Sequence, residues 1–216
     1  MPKRDHMALE AFDWNVVVVG YWNPAILTPG GIGKRLFGLE KGTPIAVEVP
    51  IDGLAPYRIR HGGLTVTAEL GRLALVADTP SLARLDLARG VASRAIESLP
   101  ETPLTACGFN VRFKLADVPE KVLTGTRAVL DDWLSDADFK ITSRAVLRSI
   151  EFQDGILNLA VRQISDAETH VEFNFDRQTH EVAALRAWLA LPMEEVRTSV
   201  TKVLAILGAK FEEKWQ

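Results

Sequence analysis

A glycine-rich segment next to two basic residues is the first candidate for chemistry in this chain. Residues 29–35 read PGGIGKR and superficially resemble a phosphate-binding loop. Such a loop has a glycine five residues before its Gly-Lys pair and a serine or threonine after it, but Thr28 and Arg35 occupy those positions. The dinucleotide-binding fingerprint also fails, because Leu36 stands where its last glycine belongs. Glycines at a helix start beside basic side chains still predict an anion site, with a tightly packed turn as the alternative. The candidate anion-binding residues are Gly30, Gly31, Gly33, Lys34 and Arg35.

The histidine, cysteine and serine residues form no recognisable catalytic or metal-binding pattern. No two of the four histidines have the i, i+2 or i, i+4 spacing of a local metal site. Cys107 is the only cysteine, which excludes a disulfide framework and a cysteine-built zinc or iron–sulfur site. Its apolar, alternating surroundings are typical of a buried thiol. The sequence contains no Gly-x-Ser-x-Gly nucleophile motif. We therefore predict no catalytic residue, no metal site and no cofactor.

Polar residues alternate with apolar ones along several predicted strands, so they would share one surface of a sheet. The candidate ligand-binding residues on that surface are Arg58, Arg60, Arg112, Lys114, Arg162, His170 and Glu172. The charges are mixed in sign, and the same strands direct no aromatic ring to this surface for stacking on bases. The pattern favours a solvated, oligomer-facing or partner-facing surface over a nucleic-acid groove.

The composition is that of an ordinary globular protein and excludes several classes of function. Hydrophobic residues make up 47% and charged residues 25%, so the chain can bury enough apolar surface to fold. The net charge of -3 provides no overall positive field for nucleic acid. No apolar run approaches the 18 or so residues of a membrane span. The charged N-terminus lacks the apolar segment of a signal peptide, which predicts a cytoplasmic protein without a membrane partner.

The elements that must position these residues follow from two periodicities. Alternation of apolar and polar residues predicts strands, including one over residues 104–115, and the valine run at 16–19 predicts a strand buried on both faces. A helical apolar stripe begins after Thr79-Pro80 and stops at Pro100, and Asp117 is the expected N-cap of a later helix. One-sided helices need an apolar surface to pack on. We expect an α+β fold, with a mainly antiparallel sheet and amphipathic helices packed on one face.

The order of elements suggests a domain organisation. Residues 1–13 are predicted to be a disordered or frayed tail, and residues 14–216 a single domain. Residues 14–100 and 104–216 each read as strand, helix, meander and helix, so we hypothesise a pseudo-duplicated unit. Residue identities do not repeat, and the hypothesis depends on order alone.

Three predictions concern apolar residues in the second half. The helix after Asp117 is predicted to turn five side chains toward the core: Val122, Val129, Leu130, Trp133 and Leu134. An apolar stripe over residues 196–215 predicts one long C-terminal helix. Trp215, at its end, is expected to pack either on its own core or against a neighbouring subunit.

Three hypotheses about function remain open from the sequence. The first is a non-catalytic interaction or scaffold module that acts through its sheet face or edges, with itself or another protein as partner. The second is a small polar-ligand binder, or an enzyme with a site between sheet and helices. The third, which the charge balance disfavours, is nucleic-acid binding by the duplicated sheet.

Overall fold

A computed structural model describes residues 9–51, 56–116, 118, 120–165 and 167–215. Over these ranges the chain forms a ten-stranded antiparallel sheet and six α-helices. The strands are β1 (Leu9–Ala11), β2 (Asn15–Gly20), β3 (Ala46–Glu48), β4 (Arg58–His61), β5 (Leu64–Ala68), β6 (Arg72–Ala77), β7 (Leu104–Ala116), β8 (Arg144–Phe152), β9 (Gly155–Gln163) and β10 (Glu168–Gln178). The helices are α1 (Pro29–Arg35), α2 (Leu82–Ser98), α3 (Glu120–Thr126), α4 (Val129–Asp136), α5 (Val182–Leu189) and α6 (Met193–Leu207), and a single 3₁₀ turn covers Glu213–Trp215.

The central pair of the sheet is β2 against β7. The strand order is β3-β4-β5-β6-β2-β7-β10-β9-β8, and β1 pairs with the far end of β7, beyond β2. In each half of the chain, the last meander strand returns to pair with the first strand: β6 with β2, and β10 with β7. This shared arrangement is compatible with a duplication, which stays a prediction.

One face of the sheet carries the core and the helices. The register aligns Val16 with Phe109, and Phe109 with Phe175, and these apolar side chains are fully buried. Helix α2 packs on β2 and β6, while α5 packs on β7 and β10. Because one face of each strand is apolar, helices cover that face and leave the other without them. The predicted α+β class, with an antiparallel sheet and helices on one face, is confirmed.

A buried arginine joins the helices of the two halves. Arg89 on α2 is only 2% exposed, and its Nε donates to the carbonyl of Leu189 at 2.7 Å. Its Nη2 donates to the carbonyl of Leu191, and its guanidinium lies 5.3 Å from the ring centre of Phe109. Desolvation lowers the pKa of Arg89, partly offset by Asp86. The side chain therefore satisfies backbone carbonyls at the end of α5 that would otherwise lack partners.

The N-terminal prediction needs a correction. Residues 9–11, expected in a frayed tail, form β1, because Leu9 and Ala11 place their side chains on the apolar face beside Leu115 and Phe113 of β7. Residues 1–8 and the expected N-cap Asp117 lie outside the described residues.

Two predictions about helices are also corrected. Helix α4 buries none of its residues, and Val129, Leu130 and Trp133 are exposed, the last at 66%. The C-terminal helix ends at Leu207, because Gly208 adopts a left-handed conformation with φ 86° and stops it. Trp215 is buried on its own chain, 5.1 Å from the ring of Phe113. None of the helices in the described ranges is both long and apolar enough to cross a bilayer.

Candidate functional site

A continuous row of polar side chains crosses the helix-free face of the sheet. Its members, here called the polar row, are Asn15 on β2, Asn110 on β7, Asn174 on β10, Asn158 on β9 and Ser149 on β8. Each faces the next across a strand pair, because the registers of four neighbouring pairs coincide. The donor–acceptor distances are 2.7, 3.0, 3.0 and 2.8 Å from β2 to β8.

The hydrogen bonds of the polar row all run in one direction. Asn15 donates from Nδ2 to the backbone carbonyl of Asp13 at 3.1 Å and to its carboxylate at 3.2 Å. Both groups only accept, so Asn15 must direct its NH₂ group toward Asp13. Each following carboxamide is then oriented in turn, and Ser149 donates to Asn158 at the other end. The orientation of every amide in the row is fixed by its chemistry.

The β2 end of the polar row is shielded although no helix covers it. Asn15 and Asn110 are only 7% and 9% exposed. Buried carboxamides are costly unless they are hydrogen-bonded, and neighbours in the row supply those bonds. A carboxamide has two N–H donors and two acceptor lone pairs. The row uses one donor and one acceptor of Asn110, Asn174 and Asn158, so each keeps one donor and one acceptor, and the half-buried Asn174 and Asn158 can offer theirs to another molecule.

A group of charged residues lies beside the polar row. The members of this charged cluster are Arg112, Glu172 and Arg162 on β7, β10 and β9. Glu172 lies 3.8 Å from Nε of Arg112 and 3.4 Å from Nε of Arg162. Arg112 also pairs with the carboxylate of Asp13, which accepts a hydrogen bond from Asn15 as well. Asp13 therefore contacts both the charged cluster and the polar row.

Lys114 and His170 form the next cross-strand pair on this face, two residues further along β7 and β10. Phe12 lies near both: its ring centre is 5.3 Å from Nζ of Lys114 and 5.1 Å from the ring centre of His170. His170 Nε2 hydrogen-bonds Oε1 of Glu168 at 2.6 Å. This end of the surface combines an aromatic ring with charged groups of both signs, although the strand pattern alone predicted no aromatic there.

A groove of about 380 Å³ opens over β8, β9 and β10. Ala160 lies between Glu172 and Leu147 in the paired register, and its small side chain leaves a depression between Asn158 and Arg162. The groove therefore brings together the β8 end of the polar row and two of the three members of the charged cluster, Arg162 and Glu172.

The structure gathers five of the seven predicted ligand-binding residues and separates two. Arg112, Lys114, Arg162, His170 and Glu172 are neighbours on three adjacent strands. Arg58 and Arg60 lie on β4, with β5, β6 and β2 between them and β7. Arg60 pairs there with Glu48 at 3.0 Å and Asp78 at 3.5 Å, and these acidic partners raise its pKa. The polar row was not predicted from the sequence. The only indication of it was an asparagine on the polar side of each of three separate predicted strands.

The glycine-rich segment forms α1, with Thr28 as N-cap accepting from the amide of Gly31 at 3.2 Å. A Cβ on Gly31 would lie 2.0 Å from the carbonyl oxygen of Ile26, so Gly31 is required for packing. Gly30, Gly33 and Lys34 line a separate cavity, whereas Gly31 and Arg35 are not among its lining residues. Three of the five predicted anion-binding residues therefore line the same cavity, and the other two do not.

The single cysteine does not lie on the helix-free face. Cys107 is buried on the helix side, donates from Sγ to the carbonyl of Leu185 at 3.4 Å, and has a pKa raised by burial to about 12. Within the described ranges, no group of three or more histidine, cysteine, aspartate or glutamate residues is placed to hold a metal ion. The helix-free face thus offers hydrogen bonds and paired charges, which are the chemistry of recognition.

A scan against protein-family models, a search of curated proteins and a search of solved structures each found no match to this chain.

Proposed function

We propose that this protein is a non-catalytic binding module whose partner is another polypeptide, held on the helix-free face at the polar row and the charged cluster. The unused donors and acceptors of the polar row are the observation that carries the proposal. They occur on neighbouring strands, spaced by about 4.8 Å, and alternate in kind along the row. Backbone amides and polar side chains of a polypeptide can satisfy both kinds.

The length of the polar row favours a polypeptide over a small metabolite. Five adjacent strands contribute, so the row extends over four strand spacings, or roughly 19 Å. A small ligand would leave most of this length uncovered, whereas a protein interface commonly engages 20 to 30 residues on each side.

The charges of the site favour a protein over nucleic acid. Arg112 and Arg162 are both paired with Glu172, and Arg112 also with Asp13. Guanidinium groups neutralised in this way provide little attraction for a phosphate backbone. They match a partner that carries charges of both signs, which is ordinary for a protein surface.

The groove over β8–β10 supports a second candidate, a small polar ligand. Its lining supplies donors from Arg162 and acceptors from Glu172 and Ser149 around the depression at Ala160. The volume of about 380 Å³ lies within the range of ligand pockets. Such a ligand would use only the β8 end of the polar row.

A peptide-display selection tests the main proposal. Peptides selected from a random library against the wild-type protein are measured again on Asn158→Ala, Arg162→Glu and a control, Thr67→Ala, on the same face at β5. We expect the first two variants to weaken binding by about tenfold, equivalent to about 1.4 kcal/mol, and the control to leave it unchanged. Equal binding to all variants, or no selected peptide, would refute the proposal, provided that circular dichroism shows each variant folded.

A further inference from the structure

We propose a second binding site, for a small organic anion with an apolar body, in the cavity between α1 and residues 38–45. The cavity has a volume of about 550 Å³, within the usual range for small-molecule sites. It lies apart from the polar row and has no part in the polypeptide interface proposed above.

The walls are formed by glycines that leave space open. Gly30 and Gly33 are three residues apart and lie on one side of α1, while Gly38 and Gly42 have φ values of 69° and 94° in the opposite wall. No atom lies within 4 Å of a Cβ built on Gly30, and its φ is not positive. Neither packing nor backbone conformation requires glycine at this position, although glycine weakens a helix relative to alanine. Without a side chain here, the space between the two walls stays open to a ligand.

The floor is apolar. The terminal methyl groups of Leu39 and Ile45 lie 3.7 and 3.8 Å from a Cβ built on Gly33, and both side chains are half-buried. Apolar lining of this kind stabilises the hydrocarbon part of a ligand and gives no hydrogen bond to a polar one.

The rim has an excess of positive charge. Lys34 and Lys41 both line the cavity, against the single carboxylate of Glu40. Among the described residues, no ion pair within 4.0 Å involves any of these three side chains. Two ammonium groups above an apolar floor select a ligand with an anionic head and a hydrocarbon body.

Three probes that share an eight-carbon chain test the head-group preference by calorimetry. We expect octanoate to bind with a Kd below about 1 mM, and at least about fivefold more tightly than octanol or octylammonium, because one exposed charge pair contributes roughly a factor of five. Lys34→Gln and Lys41→Gln should each raise the Kd for octanoate by about fivefold and leave the Kd for octanol unchanged. Absence of octanoate binding, or preference for octylammonium, would overturn the proposal.

A matched pair of glycine variants separates the ligand site from helix stability. Gly30→Leu fills the cavity, whereas Gly125→Leu places the same side chain on α3, another seven-residue helix, at an exposed glycine with open space. We expect neither variant to lower the Tm, because leucine is the better helix former. Only Gly30→Leu should weaken octanoate, by tenfold or more. Unchanged octanoate binding to Gly30→Leu, or equal loss in both variants, would contradict the assignment of the site.

Discussion

Replacing the buried Arg89 by methionine is expected to destabilise the protein by about 2–4 kcal/mol. Methionine keeps an unbranched apolar stem beside Phe109 but removes the donors to the carbonyls of Leu189 and Leu191. Each carbonyl left without a partner costs about 1–3 kcal/mol when buried. The adjoining cavity of about 480 Å³ gives water access to the freed carbonyls, so we expect the lower part of the summed range. The loss of stability is reduced further because methionine, unlike arginine, carries no charge that must be removed from water on folding.

Urea titration followed by circular dichroism measures this change in the free energy of unfolding. Arg94→Met is the matched control, because Arg94 is an exposed residue of the same helix, and it should change stability by less than about 0.5 kcal/mol. Arg89→Lys should fall between wild type and Arg89→Met, since one ammonium group cannot reach both carbonyls with the planar geometry of arginine. A loss below about 0.5 kcal/mol for Arg89→Met, or equal effects at positions 89 and 94, would show that Arg89 does not hold α5 against α2.

Three further predictions concern stability, each measured by urea titration. Asn110→Ala should cost about 1–3 kcal/mol, because Oδ1 of Asn15 loses its donor and Nδ2 of Asn174 loses its acceptor, whereas Ser149→Ala at the exposed end should cost about 0.5–1 kcal/mol; equal losses would contradict a continuous row. Between pH 9.0 and about 12 the folded state retains the Cys107 thiol proton that the unfolded state has lost. The free energy of unfolding should therefore fall by up to about 1.4 kcal/mol per pH unit in this range, and Cys107 should cause no such fall below pH 9. The same dependence of stability on pH in Cys107→Ala would refute this prediction. Gly31→Ala should cost more than about 1 kcal/mol, because its Cβ would lie 2.0 Å from a backbone oxygen; a neutral effect would show that this contact is easily relieved.

Strand faces and the overall class could be predicted because both depend on local alternation. Apolar residues at every second position of β7 and β10 place their side chains on one side whatever strand lies next to them. The exposure of Trp133 could not be predicted, because an apolar stripe on a helix indicates only that a face exists and not that a sheet reaches it. The end of α6 had a local signal, Gly208, but the apolar spacing continues past it to Phe211 and Trp215 and favoured one longer helix.

The polar row could be predicted only in part, because it depends on register between distant strands. Alternation placed Asn110, Asn158 and Asn174 on the polar side. Their alignment requires β7 and β10 to pair across 64 residues of chain, and β2 and β7 to pair across 95. Sequence periodicity does not determine such pairings. Asn15 was missed because it precedes a run of four valines, which predicted burial on both faces rather than a polar side.

The polar row and the apolar core specify the register together. A slip of one residue of β10 against β7 would turn Phe173 and Phe175 to the helix-free face, so the core excludes odd slips. A slip of two residues would keep the faces correct, but Asn110 would then lie opposite Glu172 or Asp176 instead of Asn174. The hydrogen bond between Asn174 and Asn110 would break, and Oδ1 of the buried Asn110 would lose its donor. We infer that the residues proposed to bind a partner also select this register, so a substitution in the row affects binding directly only when the register survives it.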